Sequence, residues 1–192
     1  NQSSPYTESA TYYFAYINYL NKEYKTALAN FERLKGSETY QKTYPYYITS
    51  MYYLDERFDD VISYAVPILQ STKQKYEAEM LSLVAASYFT NGDYANAVKY
   101  FADFYDKDQS GIQNNLFAYQ YGYALHKENN SIKAIEVLEK LNVDDVYLQS
   151  GMFELGRIYI AQRNKEKARS AFFRASRLEF DKSMQEEAWF NY

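Results

Sequence analysis

A small residue followed four positions later by an apolar one recurs five times along the chain. The small anchors are Ala27, Val61, Ala97, Ala134 and Ala168, spaced 34, 36, 37 and 34 residues apart, and the apolar partners are Phe31, Ala65, Phe101, Leu138 and Phe172. A period of this length is that of a helix-turn-helix repeat. Thirteen positions before each anchor stands an apolar residue (Phe14, Ile48, Val84, Tyr121, Leu155), and the position after it is mostly small (Ala15, Thr49, Ala85, Gly122, Gly156). Small residues there let two antiparallel helices approach closely. Each unit therefore reads as a first helix carrying the small position and a second helix carrying the anchor that answers it.

The pattern predicts helices over 8–20 and 24–35, 43–54 and 58–70, 73–89 and 94–105, 114–127 and 131–140, 146–161 and 165–179, with a last one from 184. The units span about 8–41, 42–77, 78–114, 115–148 and 149–182, with a partial unit over 183–192. Together they form one all-α domain. Three positions before the anchor an aromatic marks the first three units (Tyr24, Phe58, Tyr94), giving way to Ser131 and Lys165. Asp93, Asn130 and Asn164 are placed to cap second helices, and Gly92 supplies a turn residue. Ser71 with Gln74, and Ser183 with Glu186, have the spacing of capping boxes. Pro45 suits a first helical turn, whereas Pro67 falls inside a predicted helix and predicts a kink between Ser63 and Leu69.

Composition narrows the function classes. The 192 residues are 47% hydrophobic and 24% charged, with three prolines and six glycines, a folded chain without long linkers. A net charge of −4, spread along the chain, gives no electrostatic footing for nucleic acid. The absence of cysteine excludes disulfides, thiolate metal sites and cysteine nucleophiles. No stretch reaches 18 consecutive apolar residues, so no membrane insertion by this segment is expected. The partial sixth unit suggests a segment of a longer array, whose neighbouring repeats would cover its ends.

At this point the residues resemble the tetratricopeptide repeat. In LVAASYFTNGDYANAVKYF, Leu83 to Phe101, the residues Tyr88, Gly92, Asp93, Tyr94, Ala97 and Phe101 stand at the aromatic, Gly-Asp-Tyr, Ala and aromatic positions of that repeat. Unit five carries LGRIY, Leu155 to Tyr159, followed by Ala168, Phe172 and Ala175, and Trp189 takes the family's Trp position in unit six. The family's terminal proline is replaced throughout, by Thr39, Lys73, Gln109, Val146 and Phe180, and unit two has Val61 and Ala65 where Ala and a large aromatic are usual. The resemblance implies a right-handed superhelical solenoid of five repeats plus part of a sixth, whose first helices line a concave groove that takes a peptide or an extended partner segment.

Carrying over the family's groove positions gives Tyr12, Tyr16, Tyr19, Tyr46, Tyr53, Phe89, Tyr119, Tyr123, His126, Phe153 and Arg157, with Ile160 beside them. Tyrosine offers a flat apolar face and a hydroxyl at little entropic cost, which suits polypeptide backbone or sugar rings. Against this stands a compositional origin for the 24 tyrosines. The family's carboxylate clamp for chaperone C-termini needs Lys and Asn where unit one has Tyr12 and Tyr16, which argues against that role. Lys127 and Arg157 remain as isolated cations on the same side.

Other chemistry is weaker. Asp106, Asp108, Ser110 and Gly111 match the opening of an EF-hand loop, but its twelfth position is Phe117 rather than Glu. His126 is the only histidine, which excludes a multi-histidine metal site. Asp59-Asp60 and Asp144-Asp145 lie near helix N-termini, where the macrodipole favours acids. Arg163, Lys165, Lys167, Arg169, Arg174 and Arg177, interleaved with acids, mark a solvated face. The expectation is a non-catalytic protein-interaction scaffold without metal or cofactor, against two alternatives: a glycan-binding lipoprotein-type module, or the regulatory array of a larger enzyme. Its Tyr- and Asn-rich composition leans toward a bacterial periplasm or envelope.

Overall fold

The computed structural model describes residues 5–108 and 114–192, and these form eleven α-helices with no strand among the described residues. They divide into two compact units, 1–91 and 92–192. The first holds α1 (Pro5–Leu20), α2 (Tyr24–Glu32), α3 (Tyr44–Leu54), α4 (Phe58–Ser71) and α5 (Glu77–Thr90). In it α1 pairs with α2 and α3 with α4, and α5 packs on both members of the second pair. The second holds α6 (Tyr94–Lys107), α7 (Asn115–Lys127), α8 (Ser131–Leu138), α9 (Val146–Ala161), α10 (Lys165–Ser176) and α11 (Lys182–Asn191). There α7 pairs with α8 and α9 with α10, flanked by α6 on α7 and α11 on α10.

The repeat pattern sets the core. All five anchors are buried, as are their partners from Phe31 to Phe172. A Cβ added to Gly122 would meet Leu138 Cγ at 2.5 Å, and one on Gly156 would meet Phe172 Cε1 at 2.6 Å. The small position of the first helix is thus filled by the apolar residue four after the anchor, not by the anchor itself. Thirteen before the anchor, Ile48, Val84, Tyr121 and Leu155 are buried, but Phe14 is 54% exposed. That site faces the second helix of the preceding repeat: Tyr121 lies 5.7 Å from Phe101 and 5.4 Å from Tyr105, both on α6. Phe14 belongs to the first described helix, with no earlier hairpin among the described residues to cover it.

Five positions before each anchor the backbone turns left-handed, at Lys22, Glu56, Gly92, Asn129 and Arg163. At four of these turns two backbone hydrogen bonds close the helix end. In unit one Lys22 N–H donates to Tyr19 and Glu23 N–H to Asn18, and the pairs at Glu56/Arg57, Asn129/Asn130 and Arg163/Asn164 repeat the scheme. This is the Schellman arrangement, which places its next-to-last residue at positive φ. Only Gly92 occupies it without a Cβ penalty. Replacing Lys22, Glu56 or Arg163 with glycine is expected to stabilise the chain by about 0.5–1 kcal/mol each, the left-handed cost less glycine's extra entropy. Urea midpoints that fall in all three variants would contradict this.

Asp93, Asn130 and Asn164 cap α6, α8 and α10, accepting from the amides of Asn96, Lys133 and Lys167. Both expected capping boxes are corrected. Ser71 is the last residue of α4, its hydroxyl donating back to Ile68, and α5 starts at Glu77 rather than 73. Asp181 caps α11, accepting from Met184 N–H, so the helix opens at Lys182 and Ser183 lies inside it. A carboxylate two residues upstream starts the helix earlier, so the amides that Ser183 would have capped already lie inside it. The helix α4 runs through Pro67 to Ser71 without interruption. Pro67 and Ser63 are both exposed, so the carbonyl that loses its donor there faces water.

The missing family proline has a counterpart nineteen residues before four of the anchors. Glu8 there accepts from the Ser37 hydroxyl at 2.7 Å, and the Lys42 carbonyl accepts from Lys75 N–H at 2.8 Å. Asn115 donates to the Val143 carbonyl at 2.7 Å and to Asp145 at 3.1 Å. Buried Gln149 donates to the carbonyls of Leu178 and Asp181 and accepts from Asp181 N–H at 2.8 Å. Each bond holds the loop that follows its own repeat.

Candidate functional site

The predicted tyrosines of residues 1–91 are largely structural. Tyr12 is 9% exposed, stacked on Tyr40 at 4.3 Å, and is a core residue rather than a lining one. Its neighbour Tyr47, a buried residue the sequence reading did not single out, sits among Tyr12, Tyr16, Tyr19, Tyr46 and Tyr76 and lies flat on Phe31 at 5.1 Å. Tyr16, Tyr19 and Tyr46 are half-buried around it. The hydroxyls are used internally, with Tyr19 bonded to Ser50 at 3.0 Å and Tyr40 donating to Ser9 at 3.0 Å. Tyr53 packs edge-on against Phe58, and Phe89 is half-buried on α5.

Residues 92–192 gather the rest around a charge. Glu154 on α9 is only 4% exposed, in a run of buried residues from Gly151 to Gly156. Burying a carboxylate is costly unless it is paired. Its Oε1 lies 2.5 Å from His126 Nδ1 on α7, and its Oε2 lies 3.7 Å from Arg157 Nη1. An ionised carboxylate can only accept, which assigns the proton between them to His126 Nδ1. Half-buried Tyr119 stands 5.9 Å from Tyr123 and 6.2 Å from Tyr147, and Tyr94 of α6 reaches Tyr123 at 5.8 Å. Burial, and then the Glu154 charge, push the Tyr119 phenol up to about 12, so it stays a hydrogen-bond donor. Lys127 Nζ rests 5.0 Å over the Tyr123 ring, and Arg157 is exposed.

The structure thus brings Tyr119, Tyr123, His126 and Arg157 together, with exposed Ile160 on the same helix as Arg157. Phe153 is not with them. It is 8% exposed and packs on Phe172 at 5.5 Å, a core residue. Sequence reasoning missed Glu154 and Tyr147. The available signal for Glu154 was its column: fourteen before the anchor it aligns with Tyr47 and Gln120, both buried.

The remaining candidates keep structural duties. Asp60 pairs with Arg57 at 2.7 Å, Asp59 accepts from Asn91, and Asp145 caps α9 through Leu148 N–H. Ser110 and Gly111 lie outside the described residues, and Phe117 packs on Phe101 and Phe104. Among the described residues no group of three or more His, Asp or Glu is placed to hold a metal, and no helix is long and apolar enough to cross a membrane. The basic residues from Arg163 to Arg177 are all exposed.

No protein-family model matches the sequence, and no curated protein matches it. Solved structures do. The C-terminal part of a TPR repeat-containing protein from Cytophaga hutchinsonii is similar at a TM-score of 0.63 and 18% identity over 88% of this chain. The chain spans 64% of the length of that structure. The nearly identical TPR-like repeats of a putative kinesin light chain from Podospora anserina give 0.58, with 12% identity over 97% of this chain and 98% of theirs, and a single-substitution variant of the same repeats gives 0.59. The chain has the tetratricopeptide-repeat fold. Its helix pairs are tetratricopeptide-type hairpins, and the Glu154 cluster lies on the first helices of two consecutive ones, α7 and α9.

Proposed function

We propose that this chain is a non-catalytic scaffold that binds an extended peptide segment of a partner protein across α7 and α9. The observation that carries the reading is the buried Glu154, held by His126 and Arg157 and walled by Tyr119, Tyr123 and Tyr147. Strongly desolvated, specifically partnered charges concentrate at functional sites. Phenol rings supply flat contact area, while Arg157 and Lys127 supply polar contacts, so the segment favoured is one carrying an aromatic and an acidic residue.

Selection from a random peptide library displayed on phage tests this. Enriched peptides are expected to combine an aromatic with Asp or Glu, and to lose at least about tenfold in affinity, roughly 1.4 kcal/mol, against a Tyr123→Ala, Arg157→Ala variant. A Tyr16→Ala control should keep its binding, because Tyr16 serves the Tyr47 cluster. Failure to enrich any sequence, or equal binding by the double variant, would refute the reading.

A further inference from the structure

Away from the Glu154 cluster, a cleft of about 170 Å³ opens between α6, α7 and α8, with Tyr105 and Tyr121 on its lining beside Ala102 and Val137. The volume is an order of magnitude above the 10–15 Å³ or so that one water needs. Tyr121 is 2% exposed, and its ring stacks on Tyr105 with centroids 5.4 Å apart. Both hydroxyls are shielded from solvent and neither finds an acceptor for its proton, since the Lys133 ammonium beside Tyr121 can only donate. An unsatisfied buried hydroxyl costs about 1–3 kcal/mol. Two adjacent ones in one cleft call for a shared acceptor.

The charges around the cleft indicate which acceptor. Lys133, Lys140, Asp106 and Glu136 are all exposed, so their opposed charges are screened by water. Lys133 alone reaches the rings, its Nζ 5.5 Å from the Tyr121 centroid and beside the Tyr121 hydroxyl. Two neutral phenol donors beneath an ammonium form a site for a carboxylate oxygen pair, and Ala102 and Val137 offer an apolar wall for its body. The Lys133 stem is flexible and surface-borne, so it can swing off the ring and admit a ligand to the hydroxyls. Burial pushes the Tyr105 phenol up, which keeps it a donor at neutral pH.

We propose that this cleft binds a small organic carboxylate, its oxygens accepting from Tyr105 and Tyr121 and its charge met by Lys133. The site is separate from the peptide reading above and does not depend on it.

The probes are benzoate and its neutral isostere benzamide, followed by calorimetry and by chemical-shift changes on the intact chain. Benzoate is expected to bind, and benzamide to bind at least about tenfold more weakly. Tyr105→Phe with Tyr121→Phe keeps the packing and is expected to lose at least about tenfold in benzoate affinity, while Lys133→Gln lowers benzoate binding without changing that of benzamide. No benzoate binding at tens of millimolar, equal affinity for the two probes, equal binding by the double Phe variant, or a crystal of the benzoate-soaked chain with only ordered waters on the two hydroxyls would each overturn the proposal. Thermal melting of the Phe variant separates a lost site from a lost fold.

Discussion

Raising the pH from about 10 to 12 is expected to unfold this chain rather than merely titrate it. Tyr46 and Tyr119 are pushed up to about 12, chiefly by burial. Tyr47, Tyr64, Tyr105 and Tyr159 are raised as well, again first by burial; bonds to Tyr12 and Tyr76 add to this for Tyr47, and donation to Glu139 at 2.6 Å adds for Tyr159. An unfolded tyrosine ionises near pH 10. These phenols bind their protons more tightly when folded, so their contribution is complete below about pH 10 and is lost as pH rises through the folded values. Each phenol ionised only in the unfolded state lowers stability by up to about 1.4 kcal/mol per pH unit. Several acting together can remove a stability of about 5–15 kcal/mol within one or two units. Phenolate absorbance should therefore rise in step with the loss of far-ultraviolet circular dichroism, and Tyr64→Phe and Tyr105→Phe should each move the midpoint to higher pH. Smooth phenolate formation near pH 10 with the helices intact would show that the tyrosines are solvated.

The same tyrosines show where sequence reading stops. The anchors and the Asp93, Asn130 and Asn164 caps were legible because each depends on residues within one hairpin. Assigning tyrosines to a lining by column was less secure. Tyr12, Tyr119 and Phe153 share a column fifteen before the anchor, yet Tyr12 is enclosed by Tyr40 and Phe153 by Phe172, while Tyr119 keeps a half-open face. What differs is the neighbour, which the column does not specify. Glu154 was illegible for a related reason: an acid on an amphipathic helix reads as solvated, and its partner His126 stands 28 residues earlier. The capping boxes failed locally, because the Ser-x-x-Gln and Ser-x-x-Glu spacings do not reveal where the preceding helix ends or that Asp181 starts the next one two residues earlier.

Replacing Gln149 with leucine is expected to cost about 3–5 kcal/mol, more than any surface change in the chain. The side chain is fully buried, and its amide nitrogen meets the carbonyls of Leu178 at 2.8 Å and Asp181 at 3.0 Å while its oxygen receives Asp181 N–H. Leucine matches the volume and meets none of these groups, so two carbonyls and an amide lose their partner at once. Asp181 is also the cap of α11, and freeing its backbone loosens the carboxylate that holds Met184 N–H. Amide exchange throughout Lys182–Asn191 should therefore accelerate at denaturant concentrations that leave α9 protected. Asn115→Leu, at the equivalent position with two bonds to a more exposed loop, should cost less, about 1–2 kcal/mol. A Gln149→Leu chain within about 1 kcal/mol of the parent in urea, with α11 exchange unchanged, would mean that apolar packing alone seats the last helix. The expected result instead assigns that task to a side chain, which does from nineteen residues before the anchor what a proline does in the loop of the common repeat: it restricts the connection between one hairpin and the next.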